Sequence, residues 1–585
     1  MLTHESKGGI YDSLIAQLFE NGFYQSIEDA IIDIGMSRTK IWKKCRDVMS
    51  KDQAVFFDEV VKSINAMNRD MGKEKRGKII HSCCGLPGTG KSFLQQVLHA
   101  YCLDYDIDIQ TVAPTNYIAL QQGGMTLNRA IGNFCREVLG VSNYRIDQNL
   151  LDRFKREWGD EQYQKQSFEH MSIQTLMKHI INAGDIRAYE RFSPSIFSNS
   201  KNVKVVLIDE GSLITNVSLA TLLCSIPPQY KVVYVLFYGQ NQLPPVSPGY
   251  NLSACYKVSW GEFGSGKTHS LTSQQRFKSD EEVNAFNEFV MYFNDNCFQK
   301  PTTIDALKVK YFVDNIQIGG SLQEYKQLRD NKILIVATNE KRNEENESRL
   351  KNDGDGRVFS IPAIMDPGIS SEFNTYSNLG IDSILKLRKG SICYCRTNRL
   401  CDRLVKGMLL TVVDIEEAKD GLGGEEFVKS ITVSTDDRKI TLYRESFKTQ
   451  YFKDRKKKEP AFVQQFPLTL GYAITCHGAQ GKTFNCNVGI NIDGYGFPQN
   501  DLCDNMFFVA ITRVRKPSQI YMDNHPALWL LDRNCTRDEL EEIVRSRSHG
   551  YDDAEEFMES RKKKMRRNDI CYEDIYQKIM RFLPK

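Results

Sequence analysis

KIIHSCCGLPGTGKSFLQQVLHAYC, from Lys78 to Cys102, decides the fold. Ile79 and Ile80 open a short apolar run with strand character, Gly85 to Gly90 supply a flexible turn, and Phe93, Val97 and Leu98 fall on one face of the helix that follows. A strand, a glycine loop and a helix in that order predict an α/β fold with a phosphate site. Gly85, Gly88 and Gly90 let the backbone curl so that successive N–H groups, that of Thr89 among them, point inward at a phosphate, and the positive end of the new helix adds to the attraction. Lys91 would then reach the β- and γ-phosphates of a nucleoside triphosphate, and Ser92 would hold Mg²⁺. A nucleotide with Mg²⁺ is the ligand this spacing predicts.

The same spacing recurs in GEFGSGKT, Gly261 to Thr268. Here the upstream run Tyr256 to Trp260 is too short for a buried strand, and the downstream HSLTSQQRF has extended rather than helical character, so no helix dipole would face the loop. It reads as an ordinary glycine-rich loop.

A chain of 585 residues points to several domains, about four by length alone. Its net charge of +3 is too small to mark the whole surface for a polyanion, so any nucleic-acid face must be local. The sixteen cysteines are scattered without C-x-x-C pairing, which predicts an intracellular, reducing compartment, cytoplasm or nucleus, rather than a disulfide framework. Cys393, Cys395 and Cys401 fit no zinc spacing and read as strand or core residues. The N-terminus MLTHESKGG has no apolar signal core, and runs such as Val203 to Ile208 are too short to span a bilayer, so a soluble protein without a membrane partner is expected.

Further motifs lie along the chain in a consistent order. SKDQAVFFDEVVKSI is a capped amphipathic helix, and its Gln53 carries an amide with both a donor and an acceptor, suited to the edge of adenine. IQTVAPTNYIAL is a strand that ends in Thr115 and Asn116, ahead of GGMTLNRAIGNF; small polar residues at strand ends sit where a ligand binds and can contact a nucleic-acid backbone. KVVLIDEGSLI is an apolar strand that ends in Asp209 and Glu210, a carboxylate pair suited to a Mg²⁺ partner for Ser92 and to a base that polarises water. KVVYVLFYGQNQLPPV supplies another strand, with Gln242 beyond its end to sense the γ-phosphate.

Taken in order, GLPGTGKS, LIDEGS, YGQNQLPPV, QQRF, GYAITCHGAQGKTF and FVAITRVR resemble the six motifs of the superfamily-1 helicases. The resemblance covers residues 53 to 515. It implies two RecA-like P-loop domains that clasp ATP, with Lys91, Ser92, Asp209, Glu210 and Gln242 from the first and Arg276 and Arg513 from the second. It implies adenine reading by Gln53, ATP-site contacts from Gln480 and Gly481, and nucleic-acid contacts from Thr115, Asn116, Thr126, Asn128, His477 and Thr483. Arginines that reach a transferred phosphoryl group stabilise the charge it gains. Two positions depart from the family: no aspartate precedes Gln242, and Asn128 stands where RecD-like and Dda-like members often have histidine.

The implied layout is a helical N-terminal module at 1–50, a first motor domain at 51–270, a second at 271–384 and 451–530, and a charged helical tail at 531–585. A small β-barrel insert of SH3-like type, at 385–450, interrupts the second motor domain. The N-terminal module resembles a helix-turn-helix, with Ala30, Ile31 and Ile34 as an apolar stripe and Arg38, Lys40, Lys43 and Lys44 on the second helix; a plain helical hairpin explains it as well. Every motor motif lies after it, so a chain that begins near Ser50 is expected to keep its activity. The basic runs KDRKKK at 453–458 and RKKKMRR from Arg561 read as solvated segments, with phosphate or partner contacts as the alternative.

GGMTLNRAIG and the β insert resemble the RecD-like and Dda-like branch, which implies 5′-to-3′ travel on single-stranded DNA in replication, recombination or repair. Loading or replication proteins could dock on residues 1–50 or the tail. Two alternatives stay open: a viral-type RNA helicase, with which IDEGS and AQGKTF are equally compatible, and an ATP-switched assembly factor that binds nucleic acid without unwinding it.

Overall fold

The computed structural model describes residues 14, 18, 41–69, 78–115, 119, 124–141, 146–158, 173–192, 205–226, 232–239, 242–243, 245, 268–273, 281–298, 306–328, 332–352, 356–365, 381–397, 404, 407–419, 426–435, 438–453, 457–484, 486–492, 501–523 and 525–530. The chain forms two compact units, Met1–Lys278 and Ser279–Lys585, fewer than length alone suggests. Among the described residues no helix is long and apolar enough to cross a membrane.

The first unit is built on a six-stranded parallel sheet with the order β3-β2-β4-β5-β1-β6. Its strands are β1 (Lys78–Gly85), β2 (Ile109–Ala113), β3 (Met125–Thr126), β4 (Val205–Ile208), β5 (Val232–Tyr238) and β6 (Thr268–Leu271). β4 and β5 read VVLI and VVYVLFY and are buried throughout, as a parallel sheet covered on both faces requires. Alternate residues serve opposite cores. Val206, Ile208, Tyr234 and Leu236 join one cluster, and Val205, Leu207, Val233 and Val235 join the other.

The second cluster is roofed by α1 (Ile41–Asp47), α2 (Lys51–Arg69) and α3 (Lys91–Asp104). The first lies under α4 (Leu127–Glu137), α5 (Ile146–Trp158), α6 (Ile173–Ala183), α7 (Ile186–Arg191) and α8 (Asn216–Ser225). In α3, Val97 and Leu98 are fully buried and Phe93 packs at the cluster's margin, which is the face the sequence predicts.

The N-terminal segment is not a separate module where it is described. Leu14, Leu18, Ile41 and Cys45 share one core with Phe56, Phe57 and Val60 of α2, and Trp42 packs edge-on against Tyr101 of α3 at 5.0 Å. Residues this deeply shared place the described part of the segment in the core of the first unit. The helix-turn-helix stripe at Ala30, Ile31 and Ile34, with Arg38 and Lys40, lies outside the described residues, as does the tail at 531–585.

The second unit holds a four-stranded parallel sheet with the order β18-β7-β19-β20: β7 (Ile333–Val336), β18 (Ala473–Thr475), β19 (Val488–Asn491) and β20 (Ile520–Tyr521). Its helices include α9 (Glu281–Phe298), α10 (Ala306–Asn315), α11 (Leu322–Gln327), α12 (Asn339–Asn352), α13 (Cys476–Ala479) and α14 (Asp501–Ile511). Phe507 of α14 stacks on Trp529 at 4.2 Å, and Phe508 stacks on Phe293 of α9 at 5.9 Å.

Between α12 and β18 the described strands pair antiparallel. They are β8 (Phe359–Pro362), β9 (Ile364–Met365), β10 (Ile384–Leu387), β11 (Ile392–Cys395), β12 (Leu409–Lys419), β13 (Glu426–Ser434), β14 (Lys439–Leu442), β15 (Glu445–Lys453), β16 (Lys457–Gln465) and β17 (Leu468–Leu470). Five form a sheet with the order β14-β13-β12-β11-β17, β15 and β16 form a hairpin joined by β9, and β8 pairs with β10. The antiparallel domain is therefore present, and its described strands run from Phe359 to Leu470, beyond 385–450 at both ends. Of the KDRKKK run, Lys453 pairs with Lys457 and Lys458 with Phe452 in the β15–β16 ladder, so its ends are strand and not loop, while residues 454–456 lie outside the described residues. Cys393 and Cys395 are buried on β11, as core residues should be.

Candidate nucleotide and nucleic-acid site

Pairing across the first sheet aligns the carboxyl ends of its strands. Met125, Val112, Ile208, Leu236, Ser82 and Thr268 form one row, so the residues just beyond it emerge together. Phosphate loop, carboxylate pair and Gln242 all leave from this edge, where open α/β sheets bind ligands.

The loop's glycines have separate jobs. Gly88 and Gly90 take φ of 90° and 80°, a region closed to most side chains, and Gly90 caps α3. At Gly85 a Cβ would lie 2.5 Å from the Thr89 hydroxyl. The Lys91 ammonium donates to the carbonyls of Gly85 at 2.7 Å and Leu86 at 2.9 Å, so it spans the loop from within. Ser92 is exposed on the first turn of α3. The second glycine-rich match fares differently: Thr268 to Leu271 is strand β6, extended as predicted, while Gly261 to Lys267 lie outside the described residues.

Gln53 sits under this loop rather than beside it. Its side chain is buried, its amide nitrogen donates to the Thr89 carbonyl at 2.9 Å, and its amide oxygen accepts from the Ser50 N–H at 3.1 Å. The neighbouring Asp52 carboxylate accepts from the Thr272 N–H at 2.7 Å and the Ser273 N–H at 3.2 Å, just after β6, and from the Gln53 N–H at 3.0 Å. Sequence reasoning missed Asp52. Its position next to Gln53, at the start of α2, was the only signal.

Asp209 and Glu210 follow β4. The Asp209 carboxylate is buried and accepts from the Glu210 N–H at 2.8 Å. Burial, and then the charge of Glu210, push its pKa up to about 7, while that backbone hydrogen bond and the Lys91 charge pull the other way. Lys91 is thus near enough for its charge to be felt at Asp209. Glu210 adopts φ 49°, ψ 45°, a left-handed conformation that costs a non-glycine residue of order ~1 kcal/mol and clusters at functional sites.

Gln242 is buried and accepts from the Ser212 hydroxyl at 3.2 Å. A Cβ at Gly239 would come within 2.5 Å of the Gln242 amide carbon, so the glycine is required for this packing. Ser212, two residues after Glu210, thereby joins the carboxylate segment to the glutamine although no aspartate precedes Gln242. Of the expected strand contacts, Thr115 and Asn128 are exposed, and Thr126 caps α4 by accepting from the Arg129 N–H at 3.3 Å. Asn116 and Arg276 lie outside the described residues.

In the second unit β18 leads into the one-turn helix α13, capped by Thr475, whose hydroxyl accepts from the Gly478 N–H at 3.2 Å. His477 is half-buried and burial lowers its pKa. Gln480 is buried, Gly481 turns with φ 73°, and Thr483 is exposed. Arg513 is held by its own helix end and by this loop. Its guanidinium donates to the Val509 carbonyl at 2.8 Å, the Thr512 hydroxyl at 2.8 Å and the Lys482 carbonyl at 3.3 Å, and its carbonyl accepts from the Phe484 N–H at 2.8 Å. A second missed residue is Asn346 of α12, which accepts from the Ala473 N–H at 2.9 Å and donates to the Leu470 carbonyl at 3.4 Å, fixing the passage from β17 to β18.

No protein-family model matches the chain, and no curated protein matches it. Solved structures do. A Pif1 helicase from Candida albicans is 18% identical with a TM-score of 0.53, over 86% of this chain and 100% of that one. Bacteroides Pif1 bound to ssDNA is 19% identical with a TM-score of 0.49, over 84% of this chain and 96% of that one. The similarity to the Candida protein is one of fold, and it meets the expectation of two RecA-like α/β units with an antiparallel β domain in the second.

Proposed function

We propose that the chain is an ATP-dependent superfamily-1 DNA helicase that moves 5′-to-3′ along single-stranded DNA. The observation that carries this reading is the convergence of Lys91, Asp209, Glu210 and Gln242 at one sheet edge, in a fold that a Pif1 helicase also has.

The residues suit a nucleoside triphosphate with Mg²⁺. A serine hydroxyl and an aspartate carboxylate are hard oxygen donors, and two are too few for a cage made by protein alone, which matches an ion that relies on substrate phosphates and water. Among the described residues no group of three or more His, Cys, Asp and Glu side chains could hold a metal. The bound ion would offset the charge on the phosphates. A cation beside Asp209 would also favour the ionised carboxylate that burial now opposes.

The chain's own groups supply the rest. Lys91 exchanges the Gly85 and Leu86 carbonyls for phosphate oxygens, a swap between charge-assisted hydrogen bonds. Glu210 orients and deprotonates the attacking water, and its left-handed backbone aims a carboxylate that an ordinary strand end would leave elsewhere. Gln242, steadied by Ser212, reports the γ-phosphate to the segment that follows β5. Arg513, anchored to the loop after α13, carries the phosphate's state to the strand-gripping residues His477 and Thr483.

Steady-state hydrolysis with oligo(dT), with oligo(U) and with no polymer tests the reading, together with unwinding of duplexes that carry only a 5′ or only a 3′ tail. Stimulation by oligo(dT) and unwinding from the 5′ tail are expected. Stimulation by RNA alone would favour the RNA-helicase alternative, and hydrolysis without unwinding from either tail the assembly-factor alternative.

A further inference from the structure

Lys482 follows the α13 turn and looks toward the antiparallel sheet of the same unit. Its ammonium donates to the Gly407 carbonyl at 2.7 Å and lies 4.5 Å from the centre of the Tyr394 ring, a hydrogen bond and a cation–π contact from one side chain. Both partners belong to the insert. Tyr394 is on β11, and Gly407, at φ 94°, pairs through its N–H with the Cys395 carbonyl at 2.8 Å just before β12.

The same ring packs against the other end of the motif. A Cβ at Gly471, just ahead of β18, would lie 3.0 Å from Tyr394, and the Gly471 N–H donates to the Ile392 carbonyl at 2.8 Å. Tyr394 therefore touches the segment both where it enters and where it leaves the β18–α13 turn. On its other side the loop is fastened to Arg513, through the Lys482 carbonyl at 3.3 Å and the Phe484 N–H at 2.8 Å. Residue 482 is bonded to the arginine by its backbone and to the insert by its side chain.

We infer that Lys482 is a positioning residue that couples the nucleotide-facing arginine to the β insert, so that a shift of Arg513 is passed to β11 and β12 and back. The inference rests on the helicase reading for what the two ends do. Its structural content, one residue joining two elements, does not. A charged amine is a costly choice for an inert strut: burial first, and then the nearby Arg396 guanidinium, lower its pKa to about 8. An apolar side chain would fill the same space at less cost, and the donor to Gly407 is what it could not supply.

Lys482→Met keeps the stem against Tyr394 and deletes the donor, and Lys482→Arg restores one. In the full chain, Lys482→Met should leave polymer-free hydrolysis within about twofold of wild type while oligo(dT) stimulation falls about tenfold, the size of an ordinary coupling between sites. Lys482→Arg should recover at least about half of the stimulation, which a loss of packing alone would not allow. Hydrogen exchange gives a readout independent of any polymer: with a non-hydrolysed ATP analogue bound, amides of Met408 to Thr411 should be less protected in Lys482→Met than in wild type. Undiminished stimulation, a parallel fall of both rates, or unchanged exchange at those amides would each overturn the inference. A wild-type enzyme that no polymer stimulates would count against the helicase reading, and the exchange result would still decide the coupling.

Discussion

A chain that begins at Ser50 should fail to hold its first unit together, although every nucleotide motif lies after that point. Leu14, Leu18 and Ile41 are each no more than 2% exposed and share one core with Phe56, Phe57 and Val60. Burying each is worth ~1.5–3 kcal/mol, so their joint loss removes about 4.5–9 kcal/mol. The whole stability of a domain is of order 5–15 kcal/mol. Their loss also bares the aromatic face of α2, which invites aggregation. A gentler probe is Ile41→Ala, which should cost about 3 kcal/mol through lost burial and the cavity left behind, or roughly 6–12 °C in the midpoint of the first transition. Lys43→Ala, on the exposed side of the same helix, should stay within about 0.5 kcal/mol of wild type. Thermal unfolding followed by near-ultraviolet circular dichroism, with size exclusion for the shortened chain, reads both. A monomeric shortened chain with an unchanged midpoint would refute the reasoning.

Three further outcomes can be measured directly. Glu210→Gln should bind ATP with near-normal affinity and lose turnover by at least about a hundredfold, while Lys267→Ala in the second glycine-rich match should change neither; near-normal hydrolysis by the first would remove Glu210 from the chemical step, and a large loss in the second would move the phosphate site to Gly261–Thr268. Asp209 has its folded pKa raised from 3.8 to about 7, so its contribution to stability is full below the unfolded value and is lost as pH rises through about 7. Urea midpoints of the metal-free protein should therefore decline over that range, and Asp209→Asn should flatten the slope; an unchanged slope would discount the burial argument. Asp52 has the opposite sign. Burial raises its pKa, but hydrogen bonds from Ser50, Thr272, Ser273 and Gln53 outweigh that and lower it, so Asp52→Ala should cost stability at neutral pH and cost little once acid has protonated the carboxylate. Equal losses at both pH values would show a packing defect instead.

The phosphate loop was legible because its physics is local. Glycine spacing, a strand before and a helix after are all contained in one short window, and the same window sets apart the second match, whose downstream residues are strand β6. The insert's bounds were not legible. β8 and β9 are only four and two residues long and gain their identity from partners far along the chain, Ile384 to Leu387 and Val463 to Gln464. Asn346 was invisible for a related reason, since its hydrogen bonds reach Ala473 and Leu470 across the whole insert. An amphipathic pattern at Ile41 and Cys45 shows that a helix has a buried face, and it does not say what that face is buried against.

Gln53 shows where residue identity and residue role part. The sequence offers an amide with a donor and an acceptor, and the resemblance assigns that amide to adenine. In the fold both atoms are engaged by the protein, the donor by the Thr89 carbonyl and the acceptor by the Ser50 N–H. The consequence is mechanical. The Lys91 bonds to the Gly85 and Leu86 carbonyls and the Thr89 hydroxyl's bond to the Leu86 carbonyl close the loop from within, and the bond from Gln53 to Thr89 ties it to α2. Asp52 extends that support to the backbone after β6, whose next residues lead to Arg276. The start of α2 therefore ties together the phosphate loop and the backbone that leaves β6. A carboxamide has two N–H donors and two acceptor lone pairs, so one bond to the Thr89 carbonyl and one from the Ser50 N–H leave capacity for an adenine edge, and loop support and base recognition can share this amide.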